Sequence, residues 1–130
     1  LVGRQGMESF SRFINDETLY VVFLNGGFPV AAAYDGNAMI GVAAVRMGPH
    51  LSLLFVEGCY QQMGVGRALV DFFKEWLLTT KSWLGGSRLT VNASVVGAGF
   101  YRKIGFKATE PKAIKDGINY TPMELELKDI

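Results

Sequence analysis

The sequence predicts an α/β fold, α+β by some schemes, in which a mixed sheet carries helices on both faces. Three observations predict it. Residues 51–56, LSLLFV, form a nearly continuous apolar run, the pattern of a central strand buried on both sides. Val65, Ala68, Leu69, Phe72, Phe73, Trp76 and Leu77 recur at helical spacing, with Arg67, Asp71, Lys74 and Glu75 between them. That is an amphipathic helix. Leu89, Val91 and Ala93 alternate with Thr90 and Asn92, the period of a half-buried strand.

The other elements follow from local chemistry. Met7, Phe10, Phe13 and Ile14 fit a short helix over 7–14, with Asn15-Asp16 as a cap or turn. Residues 18–24 carry two patterns. Their β-branched and aromatic content suits a strand. Leu19, Val22 and Phe23 also share a helical face, and Gly26-Gly27 would end a helix; we read the segment as helix. Asp35-Gly36-Asn37 is a hairpin turn joining strands at 29–34 and 38–47, and Gly48-Pro49 breaks the second. Gly85-Gly86 separates the long helix from the strand at 88–93. A short helix at 95–103 stops at Gly105, a left-handed cap. Gly97 and Gly99 weaken that helix by about 1 kcal/mol each relative to alanine, which points to close packing against a ligand or the sheet. Two tail strands, 106–109 and 123–127, flank a polar loop.

The 130 residues suit one domain, taken as 1–130, and 49 % apolar content supplies a core. No apolar stretch reaches the roughly 20 residues of a membrane span. No signal-type segment stands at the start. The expectation is a cytoplasmic protein without a membrane partner. The formal net charge is +1 and the basic residues are scattered, so no nucleic-acid partner is expected. Cys59 is the single cysteine and His50 the single histidine. An intrachain disulfide is impossible and a zinc cage unsupported, so no metal is expected.

Chemistry concentrates at Gln61-Gln62-Met63-Gly64-Val65-Gly66-Arg67, between the buried strand and the long helix. Two glycines there permit a tight turn and close approach of a ligand. The N–H groups of the helix start have no intrahelical acceptor, and the helix dipole adds partial positive charge. Such a junction suits a phosphate or pyrophosphate, and Arg67 offers a charge-assisted contact. The spacing alone fits a plain glycine corner equally well. The run is not a Walker GxxxxGKS/T loop, and Leu69 replaces the third glycine of the GxGxxG dinucleotide fingerprint.

The run LLFVEGCYQQMGVGRALVDFFKEW resembles the fourth strand, pyrophosphate loop and third helix of the GNAT acyltransferase superfamily, whose motif is Gln/Arg-x-x-Gly-x-Gly/Ala; Gln61, Gly64 and Gly66 hold its defining positions. The run LTVNASVVGAGFYRKIGF resembles the family's next block, with Asn92, Tyr101, Gly105 and Phe106 at the matching places. Two ordered blocks are far more specific than one. The resemblance covers residues 29–127, and the family's first strand and first helix look shortened or missing.

The resemblance implies a mostly antiparallel sheet and acetyl-CoA as co-substrate. The backbone of Leu54, Phe55 and Val56 would bond the pantetheine amides. Gln61 and the N–H groups of Gln62, Met63, Gly64, Val65, Gly66 and Arg67 would hold the pyrophosphate, and Asn92 would touch the cofactor arm. Direct attack of an amine on the thioester raises two proton problems. A free alkyl amine is almost wholly protonated at neutral pH, a deficit of about 4–5 kcal/mol. The departing thiolate needs a proton. Tyr101 matches the family's tyrosine acid and is a donor at neutral pH; the plainer alternative is a packed ring, a task Phe100 can fill. His50 stands where several members place a Glu or His that relays the amine proton, against the plainer reading of a strand-edge histidine. Glu57 is less favoured, and Cys59 is read as a small residue rather than an acyl carrier. Arg102, Lys103 and Lys107 are read as a solvated face rather than as contacts to an outer phosphate.

The implied reaction is N-acetyl transfer to a primary amine of a small molecule or peptide, by a monomer or a homodimer paired through the tail strand TPMELEL. Phe28, Tyr34 and Phe55 are candidates for the acceptor pocket. The competing readings are a catalytically silent acyl-CoA-binding module, an aminoacyl-tRNA-acetylating toxin and a nucleotide-binding regulatory domain.

Overall fold

A computed structural model describes residues 12–13, 19–25, 29–46, 48–79, 87–115 and 117–127. Among them run strands β1 (Arg12–Phe13), β2 (Leu19–Asn25), β3 (Pro29–Asp35), β4 (Ala38–Arg46) and β5 (His50–Val56). A 3₁₀ turn at Gly58–Tyr60 leads into helix α1 (Val65–Thr79). Then come β6 (Arg88–Ser94), α2 (Ala98–Lys103), β7 (Lys107–Ala108), β8 (Ala113–Lys115) and β9 (Ile118–Glu126). The strands form one mixed sheet in the order β1-β2-β3-β4-β5-β6-β9-β7, with β8 on β9. Every pairing is antiparallel except β5 with β6, which is parallel.

The core lies under α1, which packs across β3, β4 and β5. Its apolar stripe, Val65, Leu69, Phe72, Phe73, Trp76 and Leu77, is buried. The rings of Phe72 and Trp76 lie 5.4 and 5.1 Å from that of Phe23 on β2. The sheet receives this bulk on small residues: Ala31 and Ala33 on β3 stand opposite Ala43 and Gly41 on β4. A Cβ at Gly41 would come within 3.0 Å of Val65 Cγ1 and 3.2 Å of the Phe55 carbonyl oxygen. Gly41 therefore lets the first turn of α1 lie down on the sheet.

Four expectations about the elements are corrected, the last of them for β5. Residues 18–24 are not helical: β2 occupies 19–25, with Leu19, Val21 and Phe23 buried and Val22 less so. Period-two burial against β3 prevails over the helical face, because the β-branched residues fit a pleated surface. Of the helix expected over 7–14, Arg12 and Phe13 instead form β1 on β2; the rest, like Gly26-Gly27 and Phe28, lies outside the described residues. The tail carries more strand than expected. β8 and the start of β9 form a hairpin at Gly117, whose φ is +77°. Exposed Ile114 and Ile118 and the donor-less Pro122 hide that pattern in the sequence.

β5 is central but not buried on both sides. Leu53 is 47 % and Phe55 52 % exposed, while Leu54 and Val56 pack against the core. One face of the strand meets α1; the other is open among the described residues.

Gly41→Ala is expected to lower stability by about 1–2 kcal/mol, because overpacking outweighs the gain in chain stiffness. Urea unfolding should show a lower midpoint at an unchanged slope. A raised midpoint would mean that α1 does not depend on this gap.

Candidate active site

β5 and β6 share two rungs, His50 opposite Thr90 and Leu51 opposite Val91. Beyond Leu51 they part, and that edge of β5 has no ladder partner among the described residues. A bulge helps. Ala44 pairs with Leu53 but Val45 with Leu51, so Ser52 is an extra residue, and its hydroxyl donates to the Ala44 carbonyl at 3.2 Å. A bulge of this kind bends the strand and redirects its groups. The wedge opens into a cleft of about 640 Å³. It brings together Leu54, Val56, Gln61, Gln62, Gly66, Asn92 and Tyr101, seven of the residues singled out from sequence. Ser52, Ser94, Gly97 and Phe100 also line it and were not assigned to a site; only the two glycines of the 97–99 segment hinted at close approach.

The loop between β5 and α1 is shaped by two left-handed residues, Gln62 (φ +67°) and Gly64 (φ +86°). Side-chain ties hold its approach. Gln61 Nε2 donates to the Val56 carbonyl at 3.2 Å. Tyr60 donates its hydroxyl to the Asp35 carboxylate at 2.5 Å, joining the 3₁₀ turn to the β3–β4 hairpin. That bond, chiefly, raises the Tyr60 pKa above its ordinary value. Ala68 N–H closes the first turn of α1 on the Gly64 carbonyl. The N–H groups of Gln62, Gly64, Val65, Gly66 and Arg67 have no acceptor among the described residues. Left-handed turns running into a helix start make a concave anion seat.

The glycines serve different ends. Gly64 has open space where a Cβ would sit, so its need is conformational. Gly66 would meet Phe100 Cζ at 3.2 Å and Val56 Cγ2 at 3.6 Å, so it lets α2 close against α1. The side chain of Val65 is core. Met63 is exposed outside the cleft, and its N–H, expected to face a pyrophosphate, instead donates to the Tyr60 carbonyl at 3.3 Å and closes the loop turn. Arg67 leans toward Asp71, 3.8 Å away on an exposed face, a pair worth little. Phe55 projects away from the cleft lining. Cys59 is exposed in the 3₁₀ turn.

Tyr101 is both packed and cleft-lining. Its ring lies 5.2 Å from Phe100 and 5.2 Å from Phe106, and burial pushes its pKa above the ordinary 10.0. His50 stands beside the base of the wedge, outside the cleft lining, with Nδ1 2.7 Å from Thr90 Oγ1. Its pKa is lowered from 6.5, first by burial and then by Arg46. Among the described residues, no cluster of three or more His, Cys, Asp or Glu is placed to hold a metal ion, and no helix is long and apolar enough to cross a membrane.

Comparison with known proteins gives a consistent result. A family model described as an acetyltransferase (GNAT) domain matches residues 2–127. A Bacillus subtilis (strain 168) protein provisionally named an acetyltransferase is 27 % identical over 113 residues, covering 85 % of this chain and 74 % of that one. A GCN5-related N-acetyltransferase from Rhodopseudomonas palustris superposes with a TM-score of 0.68 at 25 % identity, covering 79 % of this chain and 64 % of that one. The ribosomal-protein-S18-alanine N-acetyltransferase of Escherichia coli superposes with a TM-score of 0.64 at 19 % identity, covering 82 % and 73 %; it shares the fold.

The contrast between the glycines is testable by double-mutant cycles in urea. Gly64→Ala should cost about 1–2 kcal/mol from its backbone conformation alone, additively with Phe100→Leu. Gly66→Ala should be partly rescued by Phe100→Leu. Additive costs in both cycles would show that Gly66 does not make room for Phe100.

Proposed function

Because this chain belongs to the GNAT acetyltransferase family and is an acyltransferase enzyme, we propose that it transfers the acetyl group of acetyl-CoA to a primary amine of a small-molecule or peptide acceptor by direct attack. One observation carries the reading. Gln62 and Gly66, whose N–H groups are unbonded among the described residues, line one cleft with the Tyr101 ring where β5 leaves β6, and the unbonded N–H groups of Gly64, Val65 and Arg67 belong to the same loop and helix start.

The residues divide the work. The loop amides and the dipole of α1 bind the diphosphate of acetyl-CoA. The unpaired edge of β5 at Leu54, Phe55 and Val56 offers backbone groups to the amides of its pantetheine arm, as an incomplete extra strand would. Asn92, exposed on β6 at the cleft, bonds the arm from the other wall. Held there, the thioester faces Tyr101. The amine nitrogen adds to the thioester carbon, and the carbon–sulfur bond breaks. The sulfur takes the Tyr101 proton, and the acceptor nitrogen loses its proton to His50 through water.

The pKa directions suit these roles. A tyrosine raised above 10.0 remains a proton donor throughout the neutral range. A histidine lowered below 6.5 is neutral, and so able to accept a proton, at neutral pH. The acid limb of kcat should therefore fall below pH 6.5, where His50 becomes charged, and be absent in His50→Gln. The histidine carries a stability term of the same sign. It is present above the unfolded pKa and is lost as pH falls through the lowered folded value.

Free-thiol release from acetyl-CoA across an amine panel tests the function; CoA binding without release would favour a silent binding module instead. With an active amine found, Tyr101→Phe should lower kcat by on the order of 10²-fold and leave CoA affinity nearly unchanged. Unaltered turnover would remove Tyr101 from the mechanism.

A further inference from the structure

His50 is the only histidine of the chain. Its Nδ1 lies 2.7 Å from Thr90 Oγ1, and that hydroxyl lies 3.4 Å from the Pro49 carbonyl oxygen. Both contacts arise at the first parallel rung of β5 and β6, just before the strands part. A threonine hydroxyl has one hydrogen to give. Only one direction uses both contacts. Nδ1–H donates to Oγ1, and the hydroxyl hydrogen turns to Pro49. The Nε2 lone pair is then free. In the reverse direction the hydroxyl donates to Nδ1, the ring hydrogen sits on Nε2, and no ring nitrogen is left open as a base.

Resting on the reading of His50 as the proton acceptor, we propose that Thr90 is a positioning residue that holds His50 in the Nδ1–H tautomer with Nε2 as the free base. Thr90 does not touch the reacting atoms. It fixes which nitrogen is basic and how the ring is turned, as a partner on the far side of an imidazole does. The surrounding charges leave this role to the hydroxyl. On β4, Arg46 is the strand partner of His50. On β9, Glu124 stands opposite Thr90 but leans toward Arg88, at 3.6 Å.

A lone histidine makes the test clean. In uniformly ¹⁵N-labelled protein, above the pH at which the ring titrates, long-range ¹H–¹⁵N spectra report both nitrogens of one imidazole. The wild type is expected to show protonated Nδ1 and bare Nε2. Thr90→Val keeps the side-chain shape and should move the ring toward Nε2–H, with kcat lower by about tenfold; Thr90→Ser should restore both. A wild-type ring with its hydrogen on Nε2 overturns the proposal without any variant. So does a Thr90→Val ring that keeps the wild-type tautomer. Failure of the underlying reading looks different: His50→Gln would then keep wild-type kcat and acid limb, whatever the tautomer.

Discussion

The structure turns on the parting of β5 from β6 after two parallel rungs. A sheet that stayed closed would bond every backbone group of β5 and leave no gap for a ligand. Here the strands separate past Leu51 and Val91. Their diverging ends then position everything else: β5 runs through the 3₁₀ turn into the start of α1, and β6 turns into α2. The wedge, the amides at its mouth and the ring of Tyr101 all follow from one break in the ladder. Two small features keep it open. Ser52 adds a residue on the β4 side of β5, and Gly66 lets Phe100 close the opposite wall without a clash.

Strain and order are distributed to suit this. Of the loop's two left-handed residues, Gly64 adopts its φ freely, and the unfavourable backbone falls on Gln62; a left-handed non-glycine residue persists only where its surroundings enforce it. Gln61 and Tyr60 supply that enforcement through Val56 and Asp35. Gln61 is thus a brace for the loop, a part that its place in the family motif does not by itself reveal. Beneath the loop, α1 rests on alanines and one glycine, so that its aromatic stripe reaches Phe23. The loop thus leads directly into a helix whose first residue, Val65, and next stripe residue, Leu69, are buried in the core.

Much of this was legible in the sequence, and for identifiable reasons. α1 was readable because seven apolar residues keep one period. β6 was readable because Leu89, Val91 and Ala93 alternate cleanly and are buried. The loop was readable because glycine has few substitutes at φ +86°. The misses have physical causes too. In β2, Leu19, Val22 and Phe23 satisfy the helical period as well as a strand does, and only pairing with β3 decides between them. In β5 an apolar run read as double burial, but apolarity alone cannot say that one face stays open. Nothing local marks Gly41, because the side chains that need its gap, Val65 and Leu69, come from α1, more than twenty residues on. The contact of His50 with Thr90 joins residues forty positions apart, beyond the reach of any local pattern.

On the proposed reading, the loop amides grip the diphosphate. Backbone amide spectra recorded while CoA is titrated in test it most directly. The signals of Gln62, Gly64, Val65, Gly66 and Arg67 should make the largest shifts, move together and saturate at one affinity. Saturable CoA binding that leaves those five unmoved, with the largest shifts elsewhere on the fold, would contradict it.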